Sequence, residues 1–145
     1  MAEDYSNIFK KLPYTKPFLF VEKLVEINED GVIGFYTLTE DHEFFQGHFV
    51  GYPVTPGVIL TEIMAQIGVV CLGIYILGDL LTKDSKIAMT ETNVQFLKPV
   101  FPNEKVTVIS NKQYFRFGKL KCKVSMSNEA GEEVCRGVIS GVIKL

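Results

Sequence analysis

The run VILTEIMAQIGVVCLGIYIL, from Val58 to Leu77, is apolar on every face of a helix and stops near Gly78-Asp79. A helix that is hydrophobic all round belongs in a protein core or in a membrane. The stretch Val58–Leu81 contains Glu62, Gln66 and Asp79, and its uninterrupted apolar part, Ile67–Gly78, is well short of the about 18 residues a membrane span needs. The sequence therefore predicts a buried soluble helix, which the rest of the chain must cover. Thr55-Pro56-Gly57 supplies its start, with Thr55 as the cap and Pro56 at the first helical position, where a missing N–H leaves nothing unsatisfied.

The covering material reads as strands. Phe18–Ile27 and Val32–Leu38 are rich in β-branched and aromatic residues and flank Asn28-Glu-Asp-Gly31, a hairpin signature. After the helix come four strand-like segments, roughly Lys86–Leu97, Lys105–Arg116, Lys119–Asn128 and Glu132–Lys144, separated by turn residues. Ser6–Leu12 reads as a short helix ending at Pro13, and Glu40–Pro56, with Gly47, Gly51, Pro53 and Pro56, as a long loop before the helix. A hairpin, one helix and a meander imply an α+β architecture, an antiparallel sheet wrapped around one long central helix. With 145 residues, 47% hydrophobic and 22% charged, the expectation is a single domain over 1–145.

Fifteen basic against 17 acidic side chains give a net charge of −2, which lacks the positive field nucleic-acid binding demands. The charge is uneven: residues 1–97 carry 6 basic and 13 acidic side chains, residues 98–145 carry 9 and 4. An acidic partner would meet the second half. Cys71, Cys122 and Cys135 are odd in number, lack metal-ligand spacing and sit in apolar stretches, which points to free thiols in a reducing cytoplasm and to no metal site. The N-terminal MAEDYSNIFKK has early acidic residues and no apolar h-region, unlike a secretory signal.

Two polar groups interrupt the apolar pattern. Glu62 and Gln66 are one helical turn apart and share a face. Burying a carboxylate costs several kcal/mol unless it is partnered or protonated, so the pair is either a satisfied structural contact or a reactive acid with its support. His48, within Phe44-Phe-Gln-Gly-His-Phe-Val-Gly51, is flanked by glycines and aromatics, so partial desolvation favours a neutral imidazole able to accept a proton. The alternative is a packed histidine donating to a backbone carbonyl. His42, in Glu40-Asp-His-Glu43, reads as a solvated turn residue. Gly57 opens the helix, where unpaired N–H groups and the absence of a side chain let a ligand oxygen approach. A base, an acid and an oxyanion donor together suit proton abstraction alpha to a carbonyl with loss of a beta leaving group.

The stretch from Phe44 to Gln66, Phe-Phe-Gln-Gly-His-Phe-Val-Gly-Tyr-Pro-Val-Thr-Pro-Gly-Val-Ile-Leu-Thr-Glu-Ile-Met-Ala-Gln, resembles the active-site signature of the beta-hydroxyacyl-acyl-carrier-protein dehydratases of the FabA/FabZ type, which have the hot-dog fold. His48, Pro56-Gly57, Glu62 and Gln66 fall in that family's spacing. Leu12-Pro13 with Pro17-Phe-Leu-Phe-Val21 resembles its first strand, and Phe96-Leu-Lys-Pro-Val100 its strand after the helix. Glu at 62 resembles the FabZ branch, which dehydrates without isomerising the double bond. Val50 replaces the usual Pro after His-Phe, Tyr14-Thr15 stands where His-Arg is common, and Pro102-Asn-Glu104 replaces Pro-Gly-Asp. No catalytic group is lost by these departures.

The resemblance implies dehydration of a (3R)-hydroxyacyl chain on acyl carrier protein to the trans-2-enoyl product, in fatty-acid or related acyl biosynthesis, with no cofactor. It implies that His48 takes the C2 proton, Glu62 protonates the leaving hydroxyl, and the Gly57 N–H holds the thioester carbonyl. Gln66 orients Glu62, with Val54 as a second supporting residue. It further implies a homodimer, alone or as a trimer of dimers, whose sites pair His48 of one subunit with the acid of the other. Arg116 and Lys119 in the basic second half are the candidates for docking the carrier. The rival readings are an acyl-thioesterase of the same fold and a non-catalytic acyl-binding dimer.

Overall fold

The computed structural model describes residues 4–145, so the first three residues of the MAEDYSNIFKK segment lie outside the described residues. A short helix, α1 (Ser6–Lys11), precedes the hairpin β1 (Lys23–Asn28) and β2 (Gly31–Thr37); a single helical turn, α2 (Phe44–Gly47), follows. The central helix comprises α3 (Gly57–Ala65), a π turn (Gln66–Val70), α4 (Cys71–Leu77) and a 3-10 turn (Gly78–Leu80). The strands β3 (Lys86–Phe96), β4 (Lys105–Arg116), β5 (Lys119–Ser127) and β6 (Glu133–Lys144) complete the fold.

The six strands form one antiparallel sheet in the order β1-β2-β4-β5-β6-β3. The expected meander holds only for β4, β5 and β6: β4 pairs with β2 of the hairpin, and β3 pairs with β6 at the far edge instead of with β4. Alternation along β4 and β5 buries Val106, Val108, Leu120, Cys122, Val124 and Met126 on one face. That face closes over Ile63, Met64, Ile67 and Leu72 of the helix, all fully buried. At the π turn the Ser110 hydroxyl of β4 donates to the Gly68 carbonyl at 2.8 Å, pinning helix to sheet.

Several local expectations need correction. The first strand begins at Lys23 rather than Phe18, because Gln66 and not a neighbouring strand hydrogen-bonds the backbone of residues 18–20. The long loop contains the α2 turn. Thr55 does not cap the helix: Pro56 is the N-cap, and the Thr55 hydroxyl is buried without a hydrogen-bond partner among the described residues. The helix is not covered all round either, since Val58 is 77% and Tyr75 41% exposed. Gly57–Leu80 is long and apolar enough to cross a membrane by length and composition, yet most of it is the covered core of this fold.

Candidate active site

The loop that carries His48 is tied by a reciprocal pair of bonds. Val54 N–H donates to the His48 carbonyl at 2.9 Å, and the His48 ring Nδ1 lies 2.8 Å from the Val54 carbonyl oxygen. A carbonyl only accepts, so Nδ1 carries a proton, and in the neutral ring Nε2 is then the nitrogen with the lone pair. His48 is half-buried and stacks on Phe49 with ring centres 3.7 Å apart. Thr55 N–H then donates to the Val100 carbonyl at 2.8 Å, placing this loop where the central helix starts.

At that start Gly57 lies against Phe96 at the end of β3: a Cβ built on Gly57 would stand 3.2 Å from the Phe96 ring. A methyl group there would press the ring aside and block approach to the first helical N–H groups.

Glu62 and Gln66 meet as their spacing predicts. Gln66 is fully buried; its Nε2 donates to Glu62 Oε2 at 2.9 Å and to the Phe18 carbonyl at 2.9 Å, while its Oε1 accepts from the Phe20 N–H at 2.8 Å. Glu62 Oε1 has no hydrogen-bond partner among the described residues. Burial pushes the Glu62 carboxyl above its ordinary value, with the Gln66 bond pulling the other way, so it holds its proton to higher pH than a solvated carboxyl does. Glu62 stands in a channel of about 250 Å³ whose other walls are largely apolar, among them Ala65, Val69, Leu120, Ile139 and Ile143.

Within one protomer the candidates form separate pairs: Glu62 with Gln66, His48 with Val54, and Gly57 against Phe96. Glu62 lines the apolar channel, whereas Gly57 lines a different hollow, with Leu60 and Phe96–Pro99. The sequence reading missed Tyr14 and Phe18, which share the channel with Glu62. Nothing in their spacing signals this, because Gln66 brings their segment to the helix across some fifty positions of chain.

His42 is not a solvated turn residue. Its Nε2 lies 2.7 Å from the Tyr36 hydroxyl, and its ring stacks on Phe44 at 4.9 Å and 10°. The aromatic neighbours Phe20 and Tyr36 hold it against the core instead of the solvent. The three cysteines are free and buried, and burial pushes their thiols to about 12, 11 and 12 for Cys71, Cys122 and Cys135. Among the described residues no cluster of His, Cys, Asp or Glu is arranged to hold a metal ion.

Arg116 and Lys119 pair across the end of the β4–β5 hairpin. The Arg116 guanidinium lies 4.5 Å from the centre of the Tyr114 ring, and Phe117 between them is fully exposed.

A family model described as a FabA-like domain matches residues 12–129. The chain is 34% identical to the 3-hydroxyacyl-[acyl-carrier-protein] dehydratase FabZ of Wolbachia pipientis subsp. Culex pipiens over 89% of this chain and 90% of that one. It is 35% identical to the protein of the same name from Rhizobium rhizogenes, over 95% and 88% of the two chains. Among solved structures, the dehydratase heterocomplex ApeI:P from Xenorhabdus doucetiae superposes with a TM-score of 0.79 at 15% identity, covering 95% of this chain and 91% of that one. A hypothetical thioesterase from Streptococcus pneumoniae superposes at 0.63 with 12% identity, covering 84% of each. These two likenesses establish the shared fold.

Proposed function

The chain belongs to the FabA-like family, on the side of its FabZ dehydratases, and from that premise we propose how it works as a hydro-lyase on 3-hydroxyacyl chains carried by acyl carrier protein in fatty-acid biosynthesis. The neutral His48, through Nε2, removes the C2 proton. The Gly57 N–H receives the charge that grows on the thioester oxygen. Glu62 gives its proton to the departing 3-hydroxyl, so that the C3–O bond breaks and water and a trans-2-enoyl thioester leave. Val54 keeps the imidazole in the tautomer this step needs, and Gln66 keeps the carboxyl aimed along the channel. The acyl tail lies in that channel, where each buried CH₂ contributes about 0.8 kcal/mol.

The observation that carries this reading is the His48–Val54 hydrogen bond, because a neutral histidine donating through Nδ1 has its Nε2 lone pair available as a base. The working unit is a homodimer in which Glu62 of one subunit completes the site of His48 in the other. Phe49, Val50 and Tyr52 beside His48, and Phe96 and Leu97 at the end of edge strand β3, are exposed apolar surface that a second copy would cover. The whole chain acts as one catalytic domain, cytoplasmic, with its thiols reduced. Arg116 and Lys119 dock the acidic carrier.

The test offers the pure protein 3-hydroxyacyl thioesters of several lengths and follows enoyl absorbance and free thiol together. Enoyl without thiol is the expected result. Thiol without enoyl establishes a thioesterase instead, and neither product leaves a binding protein.

A further inference from the structure

Apart from Glu62 and Tyr14, the polar side chain in the channel wall is Ser140, whose hydroxyl is already paired with that of Thr90 at 3.1 Å. Tyr14 arrives from the segment before β1, and its ring packs against Phe18 at 6.5 Å. Gln66 clamps the chain at Phe18 and Phe20 while also holding Glu62, so one buried amide fixes the acid and the segment bearing the phenol in one frame. The Tyr14 hydroxyl has no hydrogen-bond partner among the described residues, although the side chain is half-buried. A half-buried phenol in a largely apolar wall carries an unused donor that a ligand in the channel can engage.

We propose that Tyr14 is a further substrate-contacting residue, whose phenol donates a hydrogen bond to the 3-hydroxyl oxygen of the substrate as that oxygen leaves toward Glu62. This rests on the dehydratase reading above. The step balances without consuming the phenol: the C3–O bond breaks, Glu62 supplies the proton that makes water, His48 takes the C2 proton, and Tyr14 keeps its own. Burial, then the neighbouring Glu62 and Cys71, push the phenol up to about 12, so it remains a donor throughout the neutral range. With two donors on the leaving oxygen, the site favours a polar atom at C3 over a bare methylene, and Tyr14 becomes a determinant of selectivity for hydroxylated over saturated chains.

The test compares wild type with Tyr14→Phe, which keeps the ring and its packing on Phe18. Turnover of a 3-hydroxyacyl thioester is expected to fall about ten-fold in kcat, the order of one hydrogen bond made in the transition state. The dissociation constant of the saturated acyl thioester of equal length stays unchanged. Unaltered turnover in Tyr14→Phe overturns the proposal, and so does an equal loss of affinity for the saturated chain, which marks a packing role. A wild type that forms no enoyl product defeats the dehydratase reading itself, an outcome distinct from either result on the variant.

Discussion

Gln66 Nε2 sits 2.9 Å from Glu62 Oε2, and the same buried amide closes two hydrogen bonds on the backbone of Phe18 and Phe20. Placement of the acid and placement of the channel wall are thus one structural event. Gln66→Leu removes all three bonds and leaves the Phe20 N–H and the Phe18 carbonyl without partners. The Phe20 N–H is the buried one of the two, and a buried orphan costs about 1–3 kcal/mol, so the variant should lose about 2 kcal/mol of stability, read from its urea midpoint. Dehydration should fall with it, because Glu62 loses its aim.

Glu62→Gln separates stability from chemistry. Burial raises the folded-state carboxyl above its ordinary value of 4.5, so the stability tied to protonated Glu62 is full below that value and is lost as pH rises through the raised one. The amide has no such loss. The stability of Glu62→Gln relative to wild type should therefore grow from acid pH toward neutrality, measured by denaturant titration across that window. Turnover should fall by about 10²-fold or more, since the amide cannot give up a proton as the acid does. Equal pH dependence in the two proteins would contradict a Glu62 carboxyl raised by burial.

A complementation test decides whether the sites are shared between subunits. His48→Ala and Glu62→Ala should each be inactive and folded. Mixed under conditions of subunit exchange, they should recover activity approaching about a quarter of the wild-type level, because half the dimers are mixed and each holds one complete site. No recovery after demonstrated exchange would place His48 and Glu62 of one protomer in the same site.

The channel should also set acyl length through Gly73. A Cβ built there stands 2.6 Å from Ile143 Cδ1, and Ile143 lines the channel, so Gly73→Ala must displace that side chain and reshape this part of the channel wall. Long-chain thioesters should lose several-fold in kcat/KM while short ones are unaffected. A uniform loss at all lengths would mean the acyl tail does not run past Ile143.

Much of this was legible in the chain because its periodicities are strong. β3 to β6 begin and end within one residue of the boundaries that alternation and turn residues mark, and the Glu62–Gln66 contact follows from helical spacing alone. What sequence could not give depends on contacts between distant segments. Phe18–Phe20 has strand composition, but Gln66 takes the Phe18 carbonyl and the Phe20 N–H, and pairing with β2 starts only at the Glu22 N–H. His42 sits among charged turn residues in sequence, yet Phe20 and Tyr36 from the hairpin enclose it. The π turn at Gln66–Val70 has no local signal in its residues and is satisfied by Ser110 from another element.

Carrier docking supplies the last prediction. Residues 105–127 hold Lys105, Lys112, Arg116, Lys119, Lys121 and Lys123 and no carboxylate, and of these Lys121 has an ion pair within the fold, with Glu91 at 3.7 Å. Leu120, the inward neighbour of Lys119, and Val142, its cross-strand partner, both line the Glu62 channel, so a carrier seated at the hairpin end rests on a wall of that channel. Exposed ion pairs contribute about 0.2–1 kcal/mol each, and a single alanine change would be hard to see. Reversal of both charges, Arg116→Glu with Lys119→Glu, replaces attraction by repulsion toward an acidic carrier. KM for carrier-bound substrate should rise several-fold with kcat little changed, and wild-type KM should climb with added salt as screening weakens the encounter. Small thioesters never meet the hairpin, so their kinetics should be identical in both proteins. A matching loss on small thioesters would trace the defect to the fold and remove the hairpin from the docking surface.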